Sequence, residues 1–284
     1  MLYIASLLAA LTVHTLAGGA VREWTIWYRS HTGAERRAFV LLPAWYGPHD
    51  DPPIPLVISP HGRGVTAARN VRIWGDLPAR GRFAVVNPAG QGRKLELYSW
   101  GDPGQIGDLA RMPAVLRRKL PWLRIERSRI FAYGGSMGGQ EVLLLAARYP
   151  RLLAGAAAFD APTNLAVRYR DFVLLRHGRR LRQLIRAEVG GPPSAVPRAY
   201  AVRSPLDLAR RLADSGVPLQ IWWSRKDRIV VDERDQSGLL CREIRELNPA
   251  APLREFVGSW PHTREMRWNR RLPESLRLFG LLSR

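Results

Sequence analysis

One serine lies in a glycine-rich segment whose residue types and spacing could make it a nucleophile. The segment is Gly134-x-Ser136-x-Gly138; an apolar, β-prone run over 130–133 precedes it and an Ala/Leu-rich helical pattern over 140–148 follows it. In a nucleophile elbow, a strand turns into a helix so sharply that the central side chain is strained and exposed. Glycines flank that residue because a Cβ there would collide with the strand and the helix. The five-residue pattern is weak alone, but its strand-to-helix context predicts an elbow at Ser136.

A serine nucleophile requires a base, and the few histidines of the chain limit the choice. The serine hydroxyl reacts poorly at neutral pH, so a base must lie within hydrogen-bond reach and a third group must orient that base. The six histidines are His14, His31, His49, His61, His177 and His262. His262 alone follows the last predicted strand, where the carboxyl ends of the strands meet. A structural loop histidine is the alternative, but beside an elbow the sequence favours His262 as the base.

Two aspartates are candidates for the acid that orients this base. Asp227 follows an apolar run that ends in two tryptophans, and Asp160 comes just after the strand that succeeds the elbow. In proteins with a nucleophile elbow, the partners follow in the chain order serine, acid, histidine, each after a strand. That order favours Asp227 as the acid. Asp160 is then expected to shape the pocket or to cap the next segment.

Cleavage of an acyl group also needs donors for the oxyanion that develops in the tetrahedral intermediate. One donor is expected to be the backbone N–H of Met137, which follows the nucleophile. The turn His61-Gly62-Arg63-Gly64 ends an earlier strand, and the N–H of Arg63 is the expected second donor. We interpret His61 as a buried support for this turn. Further pocket residues are expected in the loops after the strands: Asp160, Tyr98, Trp100 and Trp260.

The elements that must position these residues alternate between strand and helix. Val21–Tyr28 and Arg37–Leu42 predict an antiparallel hairpin. Strands are predicted at 56–59, 83–87, 129–133, 152–159, 218–223 and 252–257, and the first two have the apolar pattern of buried strands. The alternation pauses over 161–213, where an arginine-dense helix over 172–189 and a shorter one predict a helical cap above the carboxyl ends of the strands. The pattern predicts one α/β domain over 21–284, with a mostly parallel central sheet and helices on both faces.

Composition fits a folded domain with an unusually basic surface. The chain has 284 residues, 46% of them hydrophobic, which suffices for a sizeable core. The net charge is +20, and arginine supplies 41 of the 44 basic residues, spread along the whole length. We attribute this charge to a preference for arginine on a solvated surface and expect no nucleic-acid partner. Binding of a polyanion is the alternative, and such a surface would favour anionic substrates.

The N-terminal segment and the single cysteine bear on compartment. Residues 1–20 are apolar and uncharged and end in small residues, which predicts a secretory signal peptide, although the basic region that begins such signals is missing. An incorrectly chosen start codon would explain that. A membrane anchor, or an apolar strand or helix of a cytoplasmic domain, is the alternative; we expect export and no stable membrane span.

Cys241 is the only cysteine, so it forms no intramolecular disulfide, and we expect it to be buried and inert.

Taken together, His61-Gly62, the elbow, Asp227 and His262 resemble the α/β-hydrolase superfamily, in particular its esterase and prolyl-oligopeptidase-like serine hydrolases. The resemblance covers residues 36–284. It implies the α/β-hydrolase fold and a triad of Ser136, Asp227 and His262, with no metal or organic cofactor. The sequence contains no β-propeller of the kind that gates prolyl oligopeptidases. Arg63 stands where lipases of the HGGG type have glycine, which weakens that analogy.

The resemblance implies a serine hydrolase, most simply a carboxylesterase acting on a small-molecule ester. A peptidase acting on short peptides would use the same machinery, as would an acyltransferase that excludes water. A non-catalytic protein that binds polyanions or the cell wall through its arginines is the alternative from another class. The sequence does not indicate the acyl group, the leaving group or the oligomeric state.

Overall fold

Nine strands form one sheet in the computed structural model, which describes residues 13–48, 51–90, 92–267 and 271–283. The sheet order is β1-β2-β3-β5-β4-β6-β7-β8-β9. Strands β1, β2, β3 and β5 are joined by antiparallel pairing, and all further pairs are parallel. The strands are β1 Val13–Leu16, β2 Val21–Arg29, β3 Glu35–Pro43, β4 Ile54–Ile58, β5 Ala84–Pro88, β6 Ile125–Gly135, β7 Gly155–Phe159, β8 Leu219–Ser224 and β9 Leu253–Gly258.

Helices connect the parallel strands and cover both faces of the sheet. The α-helices are α1 Ala67–Asn70, α2 Leu77–Gly81, α3 Pro103–Lys119, α4 Met137–Arg148, α5 Leu165–Asp171, α6 Gly178–Val189, α7 Pro197–Ala201, α8 Ala209–Ala213, α9 Ser237–Leu247, α10 Arg264–Arg267 and α11 Leu272–Leu278. Short 3-10 turns lie at Ala17–Gly19, Val71–Ile73, Pro150–Leu152, Phe172–Leu174, Leu206–Leu208 and Glu233–Asp235.

The central strands are apolar throughout because both of their faces are buried. In β4, Leu56 and Ile58 pack into a core shared with α3, α4, α8 and α9, while Val57 packs into a second core with α1, α2 and α11. This alternation follows from the two-residue period of a strand. Cys241 of α9 is fully buried in the first core, as expected, and burial raises the pKa of its thiol.

The predicted N-terminal hairpin is confirmed. Strands β2 and β3 pair from Val21 opposite Pro43 to Arg29 opposite Glu35, and the turn closes through the N–H of Ser30, which donates to the carbonyl of Ala34 at 2.9 Å. Strand β3 then pairs antiparallel with β5. The hairpin therefore extends the parallel sheet at the edge formed by β5.

The predicted signal segment is described only in part. Residues 1–12 lie outside the described residues, and Val13–Leu16 forms β1, which pairs with β2 at the edge of the sheet. Export therefore stays a prediction. None of the helices in the described ranges is long and apolar enough to cross a membrane.

The helical insertion between β7 and β8 is confirmed, but not as one long helix over 172–189. The chain forms α5, a 3-10 turn over 172–174, and then α6 from Gly178. A Cβ on Gly178 would lie 1.6 Å from the carbonyl oxygen of Phe172, so a tight turn replaces the predicted continuous helix. Helices α5, α6 and α7 form a third core with Trp100 and Met137 over the carboxyl ends of the strands, whereas α8 packs in the first core.

A buried carboxylate fixes this insertion, which we call the cap (residues 161–204), to the loop after β5. Glu188 of α6 accepts hydrogen bonds from the backbone N–H groups of Arg93, Lys94 and Leu95 at 2.5, 2.8 and 2.9 Å. Its side chain is fully buried, and the guanidinium of Arg203 lies 3.7 Å away. Charge-assisted bonds from a buried carboxylate are strong, so the cap is held against the loop.

Candidate active site

Ser136 directly follows β6 and is the N-cap residue of α4, in a strained conformation. Its φ of 58° and ψ of −127° lie in a region that residues with a Cβ rarely adopt. The N–H of Ser136 donates to the carbonyl of Phe159 at 2.8 Å, which fixes the turn to β7. This is the backbone geometry that an elbow requires, and it places the side chain at the carboxyl end of the sheet.

The two glycines of the motif are required by packing. A Cβ on Gly134 would lie 2.4 Å from the carbonyl carbon and oxygen of Gly138, and a Cβ on Gly138 would lie 2.4 Å from the carbonyl oxygen of Pro60. Real Cβ atoms do not approach backbone that closely. The strand, the helix and the loop after β4 therefore meet at these two positions.

His262 and Asp227 form a direct hydrogen bond. Nδ1 of His262 lies 2.5 Å from Oδ2 of Asp227. The other carboxylate oxygen accepts the N–H groups of Ile229 and Val230 at 2.7 and 3.0 Å, which fixes the carboxylate in the loop after β8. The carboxylate orients the ring so that Nε2 is the nitrogen left for a reacting group.

Asp160 lies in the same cluster but holds the backbone of the histidine loop rather than the imidazole. Its carboxylate accepts the indole N–H of Trp260 at 3.1 Å and the N–H of Thr263 at 2.6 Å. Burial, with the charge of Asp227 nearby, raises the pKa of Asp160 to about 8. The two residues that Asp160 holds flank His262 closely, so this aspartate positions the loop that carries the imidazole.

Asp160, Asp227 and His262 also have donor types that suit a metal ion. Their ligand atoms lie within 4.8 Å of one another. One ligand atom each of Asp227 and His262 is used in the hydrogen bond between them, and Asp160 accepts three N–H contacts. These bonds favour a hydrogen-bonded acid–histidine pair over a metal site.

The loop after β4 lies directly against the elbow. A Cβ on Gly62 would lie 3.6 Å from the carbonyl oxygen of Gly135 and 3.9 Å from Cβ of Ser136. Met137 is the first residue of α4, and the N–H at that position has no acceptor within its own helix. The backbone N–H groups of Met137 and Arg63 are therefore the candidate oxyanion donors.

His61 is buried under this loop and forms hydrogen bonds with the backbone of Gly62 and Gly90. The N–H of Gly90 donates to Nε2 of His61 at 3.0 Å, so the proton of the neutral ring is on Nδ1, which lies 3.0 Å from the carbonyl of Gly62. Full burial lowers the pKa of His61. The ring is neutral, and both of its nitrogens form hydrogen bonds with the backbone. His61 is therefore excluded as the base for Ser136.

Ser136 and His262 open into the same cavity of about 750 Å³. Several of its lining residues were not singled out in the sequence: Arg69, Arg72, Ile73, Ile229 and Met266. The predicted pocket residues Tyr98, Trp100 and Trp260 are not among its lining residues. Trp100 packs against Phe172 of the cap with a centroid distance of 5.5 Å. These aromatic side chains pack around the site without lining the cavity.

Glu141 is a buried carboxyl group about one turn along α4 from Ser136. It is 2% exposed and contacts the hydroxyl of Ser99. Burial, with the charge of Asp102 nearby, raises the pKa of Glu141 to about 8 against the lowering effect of the Ser99 hydroxyl. In the unfolded chain the same group has a pKa near 4.5. The folded state therefore binds this proton more tightly, and the associated stability is present below pH 4.5 and lost as the pH rises through about 8.

We expect Glu141→Gln to stabilise the protein increasingly as the pH rises from about 4.5 to about 8, with the full effect above that range. Glutamine keeps the shape of the protonated side chain but cannot ionise. Relative to the wild type, its free energy of unfolding should be higher by about 3–5 kcal/mol at pH 9 and unchanged at pH 4.5. Urea unfolding at the two pH values measures this. Glu246→Gln on the exposed face of α9 is the control; an equal shift in both variants would contradict the assignment.

Solved structures with a similar fold include hydrolases of several kinds. S-formylglutathione hydrolase from Staphylococcus aureus is 16% identical at a TM-score of 0.63, over 92% of this chain and 99% of its own. An esterase from Pyrococcus furiosus is 16% identical at 0.62, over 91% and 93%. A puromycin-hydrolysing peptidase from Mycobacterium tuberculosis is 18% identical at 0.70, over 94% of this chain but 40% of the peptidase. No protein-family model and no curated protein matches the sequence.

These similarities bear on the fold. At 16–18% identity over nearly the whole chain, they show the α/β-hydrolase fold that the sequence predicts. The activities named in those proteins belong to them, because one fold supports many functions. Function must therefore be argued from the site.

Proposed function

We propose that this chain of the α/β-hydrolase fold is a serine hydrolase that cleaves carboxylic esters through an acyl-enzyme intermediate. The observation that supports it most directly is the 2.5 Å bond between His262 and Asp227, on the same cavity as the strained Ser136. A nucleophile elbow, a histidine and an orienting acid are the three parts that activation of a serine needs.

Each group has one role in the proposed reaction. His262 removes the proton of Ser136 as the hydroxyl attacks the ester carbonyl, and Asp227 orients the imidazole and stabilises its charged form. The N–H groups of Met137 and Arg63 stabilise the oxyanion. His262 then protonates the leaving alcohol, and a water molecule activated by the same base releases the acyl group from Ser136.

A fluorophosphonate probe tests the nucleophile. The probe reacts with activated serines, so mass spectrometry should find the adduct on the peptide that contains Ser136. The unlabelled protein should also hydrolyse short-chain nitrophenyl esters. Faster cleavage of a proline-containing chromogenic peptide than of these esters would instead favour a peptidase. A protein that stays unlabelled and inert while it binds an anionic polymer would contradict the enzyme proposal.

A further inference from the structure

Arg63 lines the active-site cavity, and its side chain is held by aromatic rings, in addition to the role proposed for its backbone. Its guanidinium carbon is 5.8 Å from the ring centre of Trp100 and 5.9 Å from that of Phe172. Aromatic faces hold a guanidinium in place and leave the N–H donors in its plane for a ligand. The half-buried side chain is therefore held in place at a residue that lines the cavity containing Ser136, where its donors can reach a ligand.

This guanidinium has no carboxylate partner in the part of the chain that the structure describes. No ion pair or side-chain hydrogen bond joins Arg63 to another described residue, and burial lowers its pKa. Taking a charge out of water is costly unless an opposite charge or good hydrogen bonds compensate. The aromatic rings compensate in part. A half-buried cation on the cavity of Ser136 is thus electrostatically incomplete without an anion.

Two further arginines line the same cavity. Arg69 lies in the last turn of the short helix α1, and Arg72 follows three residues later in the adjoining 3-10 turn. Both are exposed and neither forms an ion pair within the described ranges. None of the described residues that line the cavity is acidic. The cavity therefore carries three positive side chains along its wall, and its potential attracts anions.

We propose that Arg63, Arg69 and Arg72 form a subsite for an anionic group carried by the substrate of Ser136. The ligand class is an ester that bears a carboxylate, phosphate or sulfate within reach of the scissile carbonyl. This rests on the proposed function, since it assigns specificity to the same site. Arg63 binds the anion in the partly buried region, where hydrogen bonds to charge are strong, and the two exposed arginines attract it at the rim.

Matched pairs of esters test the subsite and show which side of the ester carries the charge. For the acyl side, mono(4-nitrophenyl) adipate is compared with neutral 4-nitrophenyl hexanoate. For the leaving group, 4-carboxyphenyl butanoate is compared with 4-carbamoylphenyl butanoate. The measured quantity is the ratio of kcat/KM for the anionic ester to that for the neutral ester. Intrinsic reactivity cancels when the ratio of a variant is divided by that of the wild type.

In at least one pair, Arg63→Gln should lower this ratio about tenfold, because it removes a charged donor from a partly buried site. Arg63→Lys should restore most of the preference. The double variant Arg69→Gln, Arg72→Gln should lower the ratio about threefold, since exposed charges contribute less and are screened by salt. The double variant Arg117→Gln, Arg118→Gln on exposed positions of α3 removes the same net charge far from the cavity and should leave the ratio unchanged.

The outcomes separate this inference from the proposed function. Unchanged ratios in Arg63→Gln for both pairs, with neutral esters still hydrolysed, would overturn the anionic subsite. An equal loss in the α3 control would also overturn it, because the effect would then come from overall charge. Absence of hydrolysis of all four esters together with no fluorophosphonate label would overturn the proposed hydrolase itself.

Discussion

Ser136→Ala is expected to lower kcat for a short-chain nitrophenyl ester by about 10⁵- to 10⁶-fold. Alanine keeps the Cβ and can occupy the same backbone position, so the melting temperature should stay unchanged while the nucleophile is lost. Residual turnover above the rate in water is expected from the oxyanion donors and from binding. Steady-state kinetics and a thermal scan on the same preparation measure both effects.

Ser128→Ala is the matched control because Ser128 lies exposed on the same strand, β6. It should retain full activity and full labelling by the fluorophosphonate probe. If Ser136→Ala kept more than about a hundredth of the wild-type kcat, a catalytic role as nucleophile would be excluded, because such variants lose far more.

Asp227→Asn is expected to lower kcat by about 10⁴-fold. Oδ2 of Asp227 accepts a hydrogen bond from Nδ1–H of His262 at 2.5 Å. In that tautomer the lone pair of the ring is on Nε2. An asparagine amide facing Nδ1 would stabilise the opposite tautomer and could not balance the charge of the imidazolium. The loss should therefore appear in kcat rather than in folding, and circular dichroism checks the fold.

Asp160→Asn should lower kcat less than about tenfold, which makes it the matched comparison for Asp227→Asn. With its pKa raised to about 8, Asp160 is largely protonated at pH 7, so the substitution removes little charge. It does disturb the bonds to Trp260 and Thr263, and a lower melting temperature is expected. If Asp160→Asn were the more damaging of the two for kcat, the acid would have to be reassigned to Asp160.

The parts of the site that local sequence patterns specify could be predicted. The elbow shows in the sequence because the close approach of Gly134 to Gly138 demands glycine within five residues. Asp227 and His262 could be placed because each lies in the loop after a predicted strand, three residues past the end of β8 and four past the end of β9, and parallel strands end at one edge of the sheet. The pairing of Asp227 rather than Asp160 with the imidazole could be favoured only from chain order.

Other features could not be predicted because they depend on contacts between distant segments. Nothing in the residues around Glu188 indicates that its carboxylate binds backbone groups of residues 93–95. Arg69 and Arg72 are two among many arginines, and only the fold shows that they line the cavity. The helix predicted over 172–189 was wrong at its start because helical spacing continues through a turn that tertiary packing enforces at Gly178.

The hydrogen bonds that Glu188 accepts affect how a substrate would enter the site. A cap anchored by three backbone donors loses little further conformational freedom when a ligand arrives, so the site is preorganised. Binding free energy then does not have to order a lid before chemistry begins, in contrast to hydrolases whose rate depends on loop closure. Under the proposed function, we therefore expect discrimination among esters to depend on the shape and charge of an entrance that the anchored cap holds in place.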